Sequence, residues 1–570
     1  MAYFLKQTRQ NGKVYLQIAE TTYNKTTKKS SNKCYQKLGF LSELTSENIP
    51  DPISFYKAKI KTMNKAFADK KEANKRKKIG DEPTRNFGYF IVKNMWNTLN
   101  LTNLMEPMKF TNDFTYPIHQ LIEALTYARI VCPCSKLKTY NEVFPYLYET
   151  YHFSLDQIYS GLDYIGSKYS QFIEIMNRGI AQTFERNQSV SYFDCTNYYF
   201  EIDFEKEDKQ KGPSKENRPN PIIGQALLLD GDAIPMAMKM YPGNESEKPK
   251  IRELIASLKQ TSNIKGRTIQ VADKGLNCGT NIYEALKQKD GYIFSQSVHQ
   301  LEAKEKQWIL LEDGYEPIKN NEGEILYKIK ACVDHFPIRV EEEGGKKVVV
   351  HVQQKRVAIY SPSLAEKKRI EILRLVDKAN GLCHSKAKKE EYGESSKYVK
   401  FVDDEGKKAS VCINQDKIEK DLKYAGYNLI VTSEIDMDKR EIYRIYHNLW
   451  KIEDTFRILK SQLDARPVYL QSKERIYGHF LICYYAVTLL RILEEKVFKH
   501  EFSIYELKDL IRGLKVLKED DGNTNISVAS TNILKLCEKY KFNIHYYYLS
   551  DKEIDRLFNS KYKIQKRPLH

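Results

Sequence analysis

The segment of residues 446–460 combines one acidic side chain with groups that bind phosphate. On a helix of about 100° per residue, Tyr446, Glu453, Arg457 and Lys460 share one narrow face. That face suits a metal-binding carboxylate beside phosphate-binding groups. Alone, the same pattern is more often a solvated charged surface. Acids elsewhere in the chain are therefore needed to distinguish a metal site from such a surface. A separate apolar stripe predicts packing on a core by Ile445, Leu449, Ile452, Phe456, Leu459 and Leu463.

Two further acids lie where strands are predicted. Asp194 stands in the middle of an aromatic, β-forming segment, and Asp273 follows a short apolar strand and precedes a glycine turn. Taken singly, Asp273 is most simply a turn former, and Asp194 is compatible with an edge-strand acid that faces water. Together with Glu453 they are three carboxylates for one hard-cation site. Carboxylates that close repel one another without a metal, and Mg²⁺ suits the set because it binds carboxylate, water and phosphate oxygens.

Five ordered segments resemble the DDE transposases of bacterial insertion sequences. Tyr446, Glu453 and Lys460 match the Tyr-x2-Arg-x3-Glu-x6-Lys signature of that family. The other four segments are Asp194-Cys195-Thr196, Ser214-Lys215-Glu216-Asn217-Arg218-Pro219, Tyr241-Pro242-Gly243-Asn244-Glu245-Ser246 and Ala272-Asp273-Lys274-Gly275-Leu276-Asn277. The resemblance covers about residues 1–500 and is closest to the branch with a long insertion before the glutamate. The signature arginine is Leu449 here, and its place on the apolar stripe predicts a core residue.

The resemblance implies an enzyme that cuts the ends of its own element and joins the 3′-OH to target DNA. It implies two Mg²⁺ ions, with Mn²⁺ as a substitute, of which Asp194 bridges both, Asp273 holds one and Glu453 the other. It also implies a homodimer on double-stranded DNA, with DNA contacts from Tyr446, Arg457, Lys460, Lys274, Asn277, Lys215 and Arg218. Two alternatives stay open: an Mg²⁺ nuclease without strand transfer, and a domesticated DNA-binding protein whose metal site is idle.

Composition narrows the partners and the compartment. The 570 residues include 92 Lys and Arg against 75 Asp and Glu, and the net charge of +17 favours a polyanionic partner. Ten cysteines without a Cys-x-x-Cys pair fit a reducing cytoplasm and give no zinc or redox motif. The N-terminus has no secretory signal pattern. The longest apolar stretch, residues 480–490, is too short to span a bilayer and predicts a buried helix.

The order of predicted elements indicates an α/β chain with an RNase H-like catalytic core. Three strands are followed by helix, strand, helix and strand, at residues 190–202, 222–230, 234–241, 249–261, 267–272, 279–288 and 291–296. Such folds place Asp194 on the central strand and Asp273 beside it. Residues 1–45, where 24–27 are turn-prone, predict a small N-terminal β segment.

The rest of the chain divides by pattern into further segments. Residues 46–86 are a basic linker or helix whose lysine run, from Lys70-Lys71 to Lys77-Lys78, is either solvated or a DNA-backbone contact. Residues 87–189 predict a helical domain that binds DNA or only supports the core. The catalytic core occupies 190–299 and 426–500, interrupted by a β-rich insertion at 300–425, and a helical tail follows at 501–570.

Overall fold

The structure is a computed structural model of the 570-residue chain. It describes residues 2–10, 12–24, 29–46, 49–75, 84–111, 114, 116–216, 218–261, 263–341, 345–383, 392–404, 407–519 and 522–566. Parts of the predicted turn at 24–27 and of the lysine run, including Lys77-Lys78, lie outside these residues.

The chain forms two compact units, of which the first comprises Met1–Thr84 and Leu517–Glu519. Its antiparallel sheet has the order β1 (Ala2–Gln10), β2 (Lys13–Asn24), β3 (Lys29–Phe40). The helices Leu41–Ser46 and Pro52–Lys75 follow, and Asn64 on the second bonds both backbone groups of Tyr3, at 2.9 and 2.8 Å. The short strand β4 (Thr84–Asn86) lies where the first unit ends.

The second unit comprises Arg85–Val516 and Asp520–His570 and begins with a helical part. Its longer helices are amphipathic or wholly buried, and Ser135 caps the turn after the Cys132-Pro133-Cys134 break by accepting the Lys138 N–H at 3.2 Å. The α-helices of this part are Phe90–Thr98, Leu101–Met105, Ile118–Val131, Lys136–Lys138, Leu155–Ser167 and Tyr169–Thr183.

A nine-stranded mixed sheet forms the centre of the second unit. Five of its strands are β5 (Val190–Tyr199), β6 (Ile222–Leu229), β7 (Pro235–Pro242), β8 (Ile269–Ala272) and β9 (Gly291–Gln296). They have the order β7-β6-β5-β8-β9, in which β5, β6 and β7 are antiparallel and β8 and β9 run parallel to β5. The helices Lys250–Gln260 and Gly279–Lys287 connect β7 to β8 and β8 to β9. Apolar side chains cover both faces of the sheet and form separate clusters.

The residues between β9 and the second core segment extend the same sheet. The strands β10 (Glu316–Lys319), β11 (Ile325–Glu341) and β12 (Lys347–Tyr360) form an antiparallel series after the helix Ala303–Leu310. A separate pair, β13 (Val399–Asp404) and β14 (Lys407–Ile413), lies between the helices Pro362–Cys383 and Gln415–Lys423. The next strand, β15 (Tyr427–Thr432), joins β12 to β9, so the long hairpin and the five-stranded part are one sheet.

One long helix, Lys473–Ile492, passes through the core of the second unit, and every residue from Ile476 to Ile492 is buried. Among the described residues, the stretch Lys473–Val497 is the one helix that is long and apolar enough to cross a membrane by length and composition alone, and its apolar window is wholly buried in the protein. This confirms the predicted buried helix. It packs on the helix Leu155–Ser167 at two glycines, where a β-carbon on Gly166 would meet a backbone carbonyl at 1.7 Å and one on Gly478 at 2.4 Å.

The C-terminal part contains strands as well as the expected helices. The helices are Ile504–Gly513, Thr531–Tyr540 and Asp551–Phe558. The short strands are β16 (Lys515–Glu519), β17 (Gly522–Asn525) and β18 (Tyr548–Leu549), of which β17 and β18 pair antiparallel. Ser503 and Ser550 each begin a helix with a capping box, which satisfies backbone N–H groups at the helix start.

Candidate active site

Asp194 and Asp273 lie next to each other on adjacent parallel strands. Phe193 on β5 is paired with Ala272 on β8. Asp194 directly follows Phe193 in the sequence, and Asp273 directly follows Ala272. Asp194 is within β5, and its side chain is 23% exposed. Asp273 directly follows β8. The sheet register therefore brings together two acids that are 79 residues apart in the sequence.

The carboxylate of Asp194 is surrounded by opposing charges. Its Oδ1 accepts the Cys195 N–H at 2.7 Å and lies 3.8 Å from Lys215 Nζ. The same ammonium is 3.6 Å from Glu247 Oε1 and donates to the Cys195 carbonyl. Burial raises the pKa of Asp194 to about 6, with added contributions from Glu247 and Asp273, while Lys215 and the Cys195 N–H oppose the shift. Lys215 thus acts as the counterion of two acids.

Asp273 is held by two hydroxyl groups on its Oδ1. Ser295, in β9, donates at 2.9 Å, and Tyr446 donates at 3.3 Å from the helix Lys439–His447. Burial, followed by the negative charge of Asp273, raises the pKa of Tyr446, so its phenol stays a neutral donor. In this structure Tyr446 therefore orients an acid, whereas the sequence interpretation gave it a DNA contact.

Glu453 projects into a cavity that Asp194 also lines. The cavity has a volume of about 360 Å³, and Glu453 enters it from the helix Trp450–Arg457. The structure thus brings the first and third predicted acids to one opening, although 259 residues separate them. Four cations line the same space: Lys215, Arg457, Lys460 and Arg466. Asp273 is not among the described residues that line this cavity. Its position beside Asp194 comes from the pairing of β5 with β8.

The segment that carries Glu453 is not one continuous α-helix. The helix Lys439–His447 ends before Asn448, the helix Trp450–Arg457 follows, and Ile458–Gln462 winds as a π-helical turn. Such turns are frequent at functional sites, and this one carries Lys460. Every residue of the predicted apolar stripe is buried, including Leu449 at 5% exposure. The prediction that Leu449 is a core residue is confirmed.

Lys460 and Arg466 converge on an acid that the sequence interpretation did not single out. Glu216 Oε1 lies 3.4 Å from Lys460 Nζ and accepts a hydrogen bond from Arg466. Burial opposes ionisation, but the hydrogen bond and charge of Arg466 and the charge of Lys460 lower the pKa of Glu216. Lys460 also lies over the ring of Tyr198, 5.4 Å from its centroid, and burial lowers the pKa of Lys460. Its ammonium is thus held at the cavity wall.

The other predicted DNA contacts are dispersed. Arg457 is largely exposed at the cavity and lies 3.4 Å from Asp454. Lys274 and Asn277 line a different cavity, of about 870 Å³, where the Asn277 amide donates to the Ser295 carbonyl at 2.9 Å. Arg218 is exposed and stacks on Tyr199, 4.1 Å from the ring centroid. Of the seven residues, three line the carboxylate cavity: Lys215, Arg457 and Lys460.

Glu216 and Glu247 are the acids at this site that sequence reasoning missed. Both lie in or directly after segments already singled out, since Glu216 is inside the Ser-Lys-x-x-Arg-Pro segment and Glu247 follows Ser246. Their positions inside or next to these motifs were the sequence signal that could have pointed to them as site residues. Because acidic residues are common on surfaces, only the contacts of Lys215, Lys460 and Arg466 distinguish them.

The donors at the site are carboxylate oxygens, which fit a hard cation such as Mg²⁺ better than a thiolate- or imidazole-binding metal. Asp194, Asp273 and Glu453 would hold it. Within the described part of the chain, no three His, Cys, Asp or Glu side chains are close enough to share one ion. In this structure Lys215 supplies the positive charge beside Asp194.

Comparison with known proteins identifies one related family. A family model described as a transposase DDE domain matches residues 200–489, just over half of the chain. The match contains Asp273 and Glu453 and begins six residues after Asp194. No curated protein matches the chain.

Proposed function

The chain belongs to the transposase DDE domain family, and we propose that it cuts the ends of an insertion sequence and joins the resulting 3′-OH to target DNA. Members of this family are nucleic-acid-processing enzymes that act on DNA. The observation that carries the proposal is the single cavity that Asp194 and Glu453 both line, together with Lys215, Lys460 and Arg466. Carboxylates for metal and cations for phosphate are the two requirements of metal-dependent phosphoryl transfer.

The arrangement of the sheet supports an RNase H-like core. The order β7-β6-β5-β8-β9, with three antiparallel strands and two parallel additions, has Asp194 on the central strand. Glu453 comes from a helix beyond the long β10–β12 extension. This agrees with the branch in which an insertion precedes the glutamate.

Different residues of the chain have different roles in the proposed reaction. When bound, Mg²⁺ or Mn²⁺ would activate the attacking oxygen and stabilise the leaving one. Asp194, Asp273 and Glu453 are the proposed ligands. Ser295 and Tyr446 orient the Asp273 carboxylate, and the Cys195 N–H and Lys215 stabilise the ionised form of Asp194. The cations at the cavity wall would stabilise the charge of the phosphate under attack: Arg457, Lys460 and Arg466.

The proposal is tested by strand transfer in solution. Purified protein is incubated with Mg²⁺, a duplex that ends in the terminal inverted repeat of the element, and a supercoiled plasmid. Sequencing across the junctions should show 3′ ends of the repeat joined to plasmid DNA. Glu453→Gln should abolish both cutting and joining, while Glu441→Gln, which changes a carboxylate paired with Arg444 on the preceding helix, should leave both intact.

The other outcomes separate the alternative functions. Cutting without junctions would overturn strand transfer and favour an Mg²⁺ nuclease. Tight binding to the repeat without cutting, in Mg²⁺ and in Mn²⁺, would overturn catalysis and favour a DNA-binding protein. Light scattering of the protein with and without the duplex tests the proposed homodimer, which should appear in the DNA complex.

A further inference from the structure

A third cavity of the second unit contains cations that the proposed reaction does not use. Its volume is about 780 Å³. The wall is formed by the end of the helix Ile118–Val131, the capped turn at Ser135, the loop that follows the π-helical turn, and the helix Lys473–Ile492. The chemically informative residues in the wall are Arg129, Lys136, Asp464, Arg466, Tyr469 and His479.

Two of these cations are buried without an acidic partner. Lys136 is 5% exposed and Arg129 is 4% exposed. Among the described residues, Arg129 donates only to backbone carbonyls, those of Cys134 at 2.9 Å and of Leu463 and Asp464 at 3.4 Å. Within the described part of the chain, no carboxylate forms an ion pair with either side chain. Burying an unpaired charge is strongly unfavourable for a folded protein. An anion in the cavity would offset that cost.

The single hydrogen-bond partner of the Lys136 ammonium among described residues is neutral. Lys136 Nζ lies 3.3 Å from His479 Nδ1, and His479 Nε2 lies 3.1 Å from the Ala465 carbonyl. A carbonyl can only accept, so Nε2 carries the proton and Nδ1 accepts from Lys136. Burial, followed by the charges of Lys136 and Arg129, lowers the pKa of His479 well below its usual value. The imidazole therefore orients the ammonium and does not balance its charge.

Arg466 lines both this cavity and the carboxylate cavity. The volume lies within the range of about 300–1,000 Å³ that is typical of small-ligand sites, which suits a nucleotide. Tyr469 is 70% exposed at this wall and offers a ring face on which a base can stack. The cations, the ring and the shared Arg466 point to the same class of ligand.

We propose that this cavity binds the phosphate group of a nucleotide, with Lys136 as the principal contact. The phosphate belongs either to an unpaired DNA strand that leaves the carboxylate cavity or to a free nucleotide. Only the first source rests on the proposed function.

The ionisation of Lys136 supports this assignment. Burial, followed by the charge of Arg129, lowers the pKa of Lys136 to about 7. The protonated fraction falls as the pH rises through that value, so binding of an anion should be stronger at pH 6 than at pH 8. The facing groups are Arg129, Cys134, Asp464, His479 and Cys483; burial raises the pKa of the Cys483 thiol, and the His479 imidazole stays neutral.

The test uses the full chain in EDTA, so that cleavage does not enter. Calorimetry measures binding of a thymidine dinucleoside monophosphate, of a single-stranded octanucleotide and of inorganic phosphate. The dinucleotide carries one phosphodiester whose charge is constant between pH 6 and 8. Lys136→Met should weaken its binding at least tenfold. Lys138→Met is the matched control, because this side chain at the same wall is 54% exposed and paired with Glu142; it should change binding less than twofold.

Folding is monitored in the same samples by thermal melts. Lys136→Met should melt at the same temperature as the parent or higher, because it removes an unpaired buried charge. Binding of the dinucleotide or the octanucleotide, whose phosphodiester charges are constant between pH 6 and 8, should raise the melting temperature of the parent protein more at pH 6 than at pH 8, a measurement that needs no variant.

The pattern of binding identifies the source of the phosphate. Binding of the dinucleotide and the octanucleotide that depends on Lys136 indicates a DNA strand, and binding of inorganic phosphate alone indicates a free nucleotide or phosphate ester. Either result supports the site. No binding by any probe, or an equal loss in Lys136→Met and Lys138→Met, would overturn it. Because these measurements include no strand transfer, the site and the proposed function can fail separately.

Discussion

Single residues decide the chemistry at the carboxylate cavity. Asp194 combines a raised pKa with a counterion, Lys215, that it shares with Glu247. An ionised acid that is desolvated in this way lowers the stability of the fold, and the same charge favours binding of a cation. The same reasoning separates Asp194 from ordinary surface acids, which have no such surroundings.

Neutral replacement of Asp194 should remove activity and spare the fold. Asp194→Asn keeps the volume and relieves the cost of a desolvated charge, so the melting temperature should not fall. The cleavage rate should fall by more than about 100-fold, because loss of a residue that merely supports a metal ligand already costs about 10–100-fold. Rates on the terminal-repeat duplex measure the effect, with the exposed Asp203→Asn as control. Substantial cleavage by Asp194→Asn would remove this residue from the ligand set.

Leu449 tests whether the lost signature arginine has a hidden function. Leu449→Ala should destabilise the protein by about 2–5 kcal/mol because the side chain is buried in the core. Leu449→Arg restores the residue of the family signature and should impair folding, since it places a charge among apolar side chains. Thermal melts and DNA-binding curves of both variants measure these effects. A stable Leu449→Arg protein with tighter DNA binding would contradict the buried position.

At the scale of elements, local pattern was informative for the five-stranded part of the core. The predicted strands and helices between residues 190 and 296 agree with the observed bounds within three residues. These strands are buried apolar runs that end at turn residues, so their limits are local. The neighbouring positions of Asp194 and Asp273 followed from the element order.

Pairing between distant segments was not readable from the sequence. The pattern predicted strands after residue 300, but nothing local shows that β12 pairs with β15 and so joins the same sheet. The pattern predicts a regular helix around Glu453, whereas Ile458–Gln462 forms a π-helical turn, in which Lys460 lies 3.4 Å from Glu216. The buried pair Lys136 and His479 depends on two helices that are more than 300 residues apart. Such contacts are tertiary and leave no periodic signal.

The close packing of the helices Leu155–Ser167 and Lys473–Ile492 at Gly166 gives a prediction about elements. Gly166→Ala should destabilise the protein by about 1–3 kcal/mol or more, because its β-carbon would lie 1.7 Å from the Glu474 carbonyl oxygen and a backbone shift is required. Gly513→Ala is the control, since a β-carbon there meets nothing within 4 Å. Chemical denaturation measures both. Equal stability of the two variants would show that the Leu155–Ser167 and Lys473–Ile492 helices are not in close contact.

At the scale of the whole molecule, charge and family membership point to the same partner. The net charge is +17, but many of the cations already pair with acids, such as Lys460 with Glu216 and Arg475 with Asp163. Net charge alone therefore overstates the number of phosphate contacts. The contacts that DNA makes must come from cations that are free or that exchange an acid for a phosphate.

The salt dependence of DNA binding counts those contacts. Each phosphate contact that releases a counterion lowers the slope of log K against log salt concentration by about 0.9, so six to ten contacts weaken binding by about 10³–10⁵-fold between 50 and 200 mM salt. Fluorescence anisotropy with a terminal-repeat duplex, in EDTA, should give the slope that corresponds to about six to ten phosphate contacts. Arg457→Met should reduce the slope by about one and weaken binding equally for all sequences, because this exposed guanidinium at the cavity would contact phosphate and not bases. A slope near zero for the parent protein would contradict a DNA substrate, and an unchanged slope for Arg457→Met would place the DNA away from the cavity that Asp194 and Glu453 share.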